Sequence, residues 1–193
     1  MNCVERSQRQ VNPIEIGLDV VPLSYPPSGV RVYVEALIDA FRFCDAGVVL
    51  APLAPLSGLM RSSNRLARLD WDLHSIAGAA RDARVDLLHM TRFAAPLRSE
   101  RPVVVTVHDL IPLQLPAYRA SRPARVQAEL ARRTVPGATR IIVPSRYVAN
   151  AVTTVLGVPL ERVDVIPMGV AIPDRLGSPP QISGRYLLHA GGF

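Results

Sequence analysis

The sequence predicts an α/β fold built on a doubly wound, mostly parallel sheet. Three observations lead there. Short apolar, β-branched runs alternate with helical patterns from Ile14 to the end of the chain. The run 102–107 stops abruptly at His108-Asp109 and a proline-containing loop. A buried parallel strand delivers polar side chains to the carboxyl edge of a sheet in this way, and ligands of open α/β sheets bind at that edge. The length, 193 residues, suits one domain or one domain with a short appendage.

Residues 14–20 read as the first strand, after a polar tail at 1–13. Residues 21–29, with Pro22, Pro26, Pro27 and Gly29, read as a loop. A helix follows over 30–43, with Val30, Val34, Leu37, Ile38 and Phe41 on one face. Residues 48–50 form a short second strand, and 52–69, rich in proline, serine and glycine, a loop. A helix is expected over 71–84 with Asp70 as its cap. Strands follow at 85–89 and 102–107, then a strongly basic helix at 121–134 and a fifth strand at 140–143. Ser145 caps a helix that Gly157 stops after Leu156, and 163–166 is the sixth strand. Six strands separated by helices imply right-handed crossovers. Residues 167–185 are too rich in Pro and Gly for a helix and read as an interdomain linker. Residues 186–189 would be a further strand, followed by Gly191 and Gly192.

Composition narrows the chemistry. All basic residues are arginine, which excludes a lysine Schiff base and a P-loop lysine. The formal net charge of +6 favours anionic partners such as nucleotide phosphates or acidic lipids. Two cysteines, Cys3 and Cys44, make no disulfide framework and fit a reducing cytoplasm. The four histidines show no zinc spacing, and no apolar run reaches the roughly 18–20 residues of a membrane span.

Five places could carry a site. Ser28-Gly29, between the first strand and its helix, could bring backbone N–H groups to a phosphate, or be an ordinary capped turn. His108 could hydrogen-bond a ligand hydroxyl or phosphate. Asp109 could steer that ring, bind a hydroxyl or cap the next turn. His89, on the same edge, reads better as a core histidine. Arg122, Arg125, Arg132 and Arg133 could share one helix face toward anionic lipid headgroups, or be a solvated face. No aromatics interleave with them, which argues against nucleic acid. Arg146, after Pro144-Ser145, could add an anion contact or only start a helix.

These pieces in this order resemble the N-terminal half of a GT-B glycosyltransferase of the retaining family 4 type, a Rossmann-like domain. The resemblance rests on Ser28-Gly29-Val30 with Tyr33 and Leu37, on Thr106-Val107-His108-Asp109-Leu110-Ile111-Pro112, and on Arg140-Ile141-Ile142-Val143-Pro144-Ser145-Arg146-Tyr147. Leu156-Gly157-Val158-Pro159, Val165-Ile166-Pro167-Met168-Gly169 and Tyr186-Leu187-Leu188-His189-Ala190-Gly191-Gly192-Phe193 extend it. It implies transfer of a sugar from a nucleotide-sugar donor to a hydroxyl of a glycan or lipid-linked glycan, with no metal or other cofactor. His108 would contact the donor sugar as the catalytic residue. Ser28 and Gly29 would lie by the donor phosphates, Asp109 on the acceptor side, and Gly191 and Gly192 by the diphosphate from a second domain. Ser28 stands where many members carry a first glycine, and Arg31 where many carry glycine or glutamate.

The resemblance divides the chain into an acceptor domain at 14–166, the linker, and the first strand of a second, donor-binding domain at 186–193. The family's diphosphate-binding Arg/Lys pair and Glu-x7-Glu element do not occur by Phe193, so the chain is expected to be inactive alone. The alternatives are a non-catalytic half-protein that pairs with a separate donor domain, and an unrelated α/β nucleotide-binding module. A cytoplasmic protein, peripheral on the inner face of the membrane, is the expected location.

Overall fold

The computed structural model describes residues 13–43, 47–55, 65–115, 117, 121–170, 184, 185 and 187. Six strands, β1 (Ile14–Asp19), β2 (Val48–Leu53), β3 (Leu87–Met90), β4 (Val103–Thr106), β5 (Arg140–Val143) and β6 (Val163–Val165), form one sheet in the order β2-β1-β3-β4-β5-β6. Every pairing is parallel, so the expected mostly parallel sheet is wholly parallel.

The crossovers decide which face is covered. Helix α1 (Gly29–Phe43) returns the chain leftward from β1 to β2. Helices α2 (Arg65–Asp70) and α3 (Ile76–Asp82) lead rightward to β3. After β4 come the short α4 (Ile111–Gln114) and then α5 (Arg122–Thr134), and after β5 comes α6 (Arg146–Leu156). Right-handed connections therefore put α1 on one face and the later helices on the other. Burial along the strands agrees. Leu88, Met90, Val105, Ile141 and Val143 are buried, and all join the core cluster that holds Ile76, Ala131 and Val152 of α3, α5 and α6. Each such side chain contributes about 1.5–3 kcal/mol by leaving water.

The alternate positions Leu87, Val104 and Ile142 are only half buried. With Ile16 they floor a groove of about 450 Å³ beside α1, with residues 166–169 at its rim. Along α1 the expected apolar face therefore buries only Val34 completely.

Three local features follow from sequence. Ser121 and Ser145 accept hydrogen bonds from the amides of Ala124 and Val148 and cap α5 and α6. Gly157 ends α6 at φ 69°, in the left-handed region that glycine enters without cost. At Gly17 an added Cβ would lie 2.8 Å from Leu53 and 3.0 Å from Val85, so β1 and its neighbours approach only because this position is bare.

The structure corrects several expectations. Strand β2 runs on through Pro52 to Leu53, because an edge strand tolerates a proline. Helix starts at Arg65, inside the expected loop at 52–69, and continues to Asp82. Asp70 is not a cap; it sits in right-handed helical backbone and accepts a hydrogen bond from Ser75 Oγ. Between α2 and α3 the helix widens into one π turn, Trp71–Ser75. The expected loop after His108 contains α4. Residues 166–170 form no regular element and are exposed, so the sixth strand ends at Val165, one residue short of the expected 163–166. Cys3, Cys44, most of residues 171–185 and the expected strand at 186–189 lie outside the described residues, except that Leu187 is described and fully exposed.

Candidate functional site

The carboxyl edge of the sheet gathers most of the sequence-predicted residues. His108 follows β4 by two residues and is partly exposed, not sealed in the core. Its Nε2–H donates to the Thr91 carbonyl at 3.1 Å. The ring of Tyr33, on α1, meets it edge-to-face with centroids 4.9 Å apart. Burial lowers the His108 pKa, and the Thr91 hydrogen bond and the charge of Asp109 only partly offset this. The ring is therefore neutral at neutral pH, able to exchange hydrogen bonds with a hydroxyl.

Beneath it lies a second histidine. His89 Nε2 is 2.8 Å from Thr106 Oγ1, and the Tyr33 hydroxyl is 3.0 Å from the same oxygen. Burial, then the neighbouring His108, push His89 down to about 4. His89 is the buried core histidine its sequence position suggested. Burial likewise raises the Tyr33 pKa, so its hydroxyl keeps its proton.

Of the three roles open to Asp109, the structure displays one. Its Oδ1 accepts from the Ile111 amide at 2.9 Å, an Asx turn that starts α4. Ser28 caps α1 through the Arg31 amide. Gly29 is the first residue of α1, and nothing lies within 4 Å of where a Cβ would stand. The amino end of this 15-residue helix is thus unobstructed at Gly29, although its Arg31 amide is already taken by Ser28. Arg146 is the exposed first residue of α6 at the same edge, with no ion-pair partner among the described residues. Gly191 and Gly192 lie outside the described residues.

The basic stretch is partly paired within its own helix. Arg132 and Arg133 both bind Glu129, at 2.8 and 2.7 Å, which holds that carboxyl down at about 2. Arg122 and Arg125 remain exposed. Among the described residues no group of three His, Cys, Asp or Glu could hold a metal.

Sequence reasoning missed the most buried polar feature of this edge. Asp19 ends β1 and is fully buried. Arg92, two residues beyond β3, donates from Nε to Asp19 Oδ2 at 3.0 Å. Its other two nitrogens form a fork on Asp72: NH1 reaches Oδ2 at 3.0 Å, and NH2 reaches Oδ1. The π turn places Asp72 beside Trp71, whose indole N–H points to Asp19 Oδ1 at 3.4 Å. Two carboxylates share one guanidinium out of water. Burial therefore outweighs the attraction of Arg92 and pushes Asp72 up to about 6. The two acids hold Arg92 firmly protonated. A sequence signal existed: Asp19 and Arg92 are charges at the carboxyl ends of apolar strands, like His108-Asp109.

This geometry frames a comparison with known proteins. The family model described as Glycosyltransferase Family 4 matches residues 26–172, most of the chain. The chain belongs to glycosyltransferase family 4. The match begins in the loop before α1 and includes Ser28, Gly29, His108, Asp109 and Arg146. The family brings a glycosyltransferase-type function, and the open, all-parallel sheet flanked by helices is the Rossmann-like fold it leads one to expect. None of the curated proteins compared with the chain matches it.

Proposed function

We propose that residues 14–166 are the acceptor-side domain of a retaining glycosyltransferase. It moves a sugar from a nucleotide-sugar to a hydroxyl of a glycan or lipid-linked glycan, without a metal. The observation that carries this reading is His108, a neutral, partly exposed imidazole held at the sheet edge by Thr91 and Tyr33. In that position it hydrogen-bonds the donor sugar. The amino end of α1, open at Gly29 and capped by Ser28, takes the donor phosphates. Backbone N–H groups fixed before the reaction stabilise the charge that develops on a departing diphosphate. Arg146 adds a cation at the start of α6, after the neighbouring strand β5, and Asp109 lines the acceptor side. The donor-side groups lie beyond residue 170, with Gly191 and Gly192 among them, and residues 14–166 alone turn over little. No helix among the described residues is long and apolar enough to cross a membrane. A cytoplasmic protein resting on anionic lipid through exposed Arg122 and Arg125 is consistent with this reading.

The test begins with NMR of the full chain while UDP-, GDP- and ADP-sugars are added in turn. One donor should shift the signals of His108 and Gly29. His108→Ala should then weaken that binding about tenfold or more with the melting temperature unchanged. Donor binding that ignores His108→Ala overturns the assignment.

A further inference from the structure

The buried Asp19–Arg92–Asp72 cluster has a second connection, to His108. The carbonyl that accepts from His108 Nε2 belongs to Thr91, so it sits in the peptide unit joining Thr91 to Arg92. Both ends of that unit are anchored on one residue. Thr91 Oγ1–H donates to the Asp19 backbone carbonyl at 2.9 Å, and Arg92 Nε donates to the Asp19 carboxylate at 3.0 Å. Asp72 grips the far side of the same guanidinium. Thr91 is wholly buried, so no water competes for these groups. The direction of the Thr91 carbonyl is therefore set by four side chains, those of Thr91, Arg92, Asp19 and Asp72, none of which hydrogen-bonds the imidazole.

A carbonyl only accepts, so the ring nitrogen facing it carries the proton. The other ring nitrogen, Nδ1, has no hydrogen-bond partner among the described residues. We infer that Asp19, Arg92 and Asp72 are positioning residues that hold His108 as its Nε2–H tautomer and leave Nδ1 as an acceptor at the sheet edge. The ligand group opposite Nδ1 must then bring a hydrogen, as a hydroxyl or an N–H does. A carbonyl or ether oxygen finds no donor there. That ligand statement rests on the transferase reading; the tautomer does not.

The same cluster reaches the phosphate side. Asp19 Oδ1 also accepts from the Val21 amide at 3.3 Å, which turns the chain out of β1 toward Ser28 and Gly29. One buried cluster thus fixes both the imidazole and the start of the loop that precedes α1.

The experiment is nitrogen-15 NMR of the imidazoles in the full chain at a pH where His108 is neutral. The unsubstituted protein should show His108 as the Nε2–H tautomer alone. Arg92→Met frees the Thr91 carbonyl, and the tautomer ratio should fall by roughly three- to tenfold, the worth of one ordinary hydrogen bond. Asp72→Asn keeps the shape and should move the ratio the same way by less, which serves where Arg92→Met does not fold. Arg140→Met, at an exposed ion pair, should leave the ratio unchanged. An Nδ1–H tautomer in the unsubstituted protein overturns the inference, as does an unchanged ratio in the folded variants. Absence of sugar transfer would leave this readout untouched, so the two proposals fail separately.

Discussion

Two arginines of this domain grip carboxylates with the same fork, in opposite surroundings. Arg140 on β5 binds Asp164 on β6 through Nε at 2.9 Å and NH2 at 2.5 Å, and also donates to the Glu161 carbonyl. Both side chains are close to half exposed. Arg92 forks onto Asp72 and reaches Asp19 as well, with only about a tenth of its side chain exposed. The exposed pair fastens two neighbouring strands and can exchange each partner for water. The buried cluster cannot, so each member depends on the others. Similar geometry is a minor surface contact in one place and an obligatory unit in the other. The obligatory one stands at the edge where the ligand is expected.

The comparison is broken most severely by Arg92→Met, which strands Asp19 and Asp72 without a counter-charge. Breaking a buried pair in this way costs about 3–5 kcal/mol. Urea unfolding followed by circular dichroism should show a loss of that size, and a loss under 1 kcal/mol would contradict the buried assignment.

Acid sharpens it next. Asp72 is raised from 3.8 to about 6, so its protonated form is favoured in the fold, and stability is lost as pH rises through that range. His89 is lowered from 6.5 to about 4, so its contribution is present above 6.5 and lost as pH falls toward 4. Each effect is worth roughly 3 kcal/mol, and the two oppose one another across the same window. The unsubstituted protein should lose less stability toward acid than Asp72→Asn, and part of its remaining loss comes from His108, whose pKa burial also lowers. Asp72→Asn should become steeply less stable toward acid, and His89→Gln should become more stable. Parallel pH profiles for all three proteins would show that the groups are not buried as described.

The smallest effect belongs to Arg140→Met. An exposed pair contributes little because water screens it, and added salt should shrink the difference further. A loss approaching that of Arg92→Met would erase the distinction between the two sites.

What the sequence revealed, and what it hid, follows the same division between local and distant causes. The six strands, the caps at Ser121 and Ser145 and the stop at Gly157 depend on a few adjacent residues and were legible. So was His108, because an apolar run ending in a polar pair is a local signal. The helix from Arg65 was hidden by proline and serine upstream, and α4 is too short to show periodicity. The π turn escaped because a single widened turn breaks the helical spacing that would announce it. The cluster was hidden for a different reason. Arg92 lies 73 residues from Asp19 and 20 from Asp72, and only the parallel sheet brings them together. The half-covered face was also unreadable, since it comes from the direction of each crossover and not from any run of residues.

Trp71 is the protein's sole tryptophan, and it is buried with its indole on Asp19. The chain therefore carries an optical reporter at the point where its buried charges meet. Excited at wavelengths only tryptophan absorbs, its emission should change colour and intensity as Asp72 gains or loses a proton. The state of the cluster could then be read in a cuvette, with no label attached.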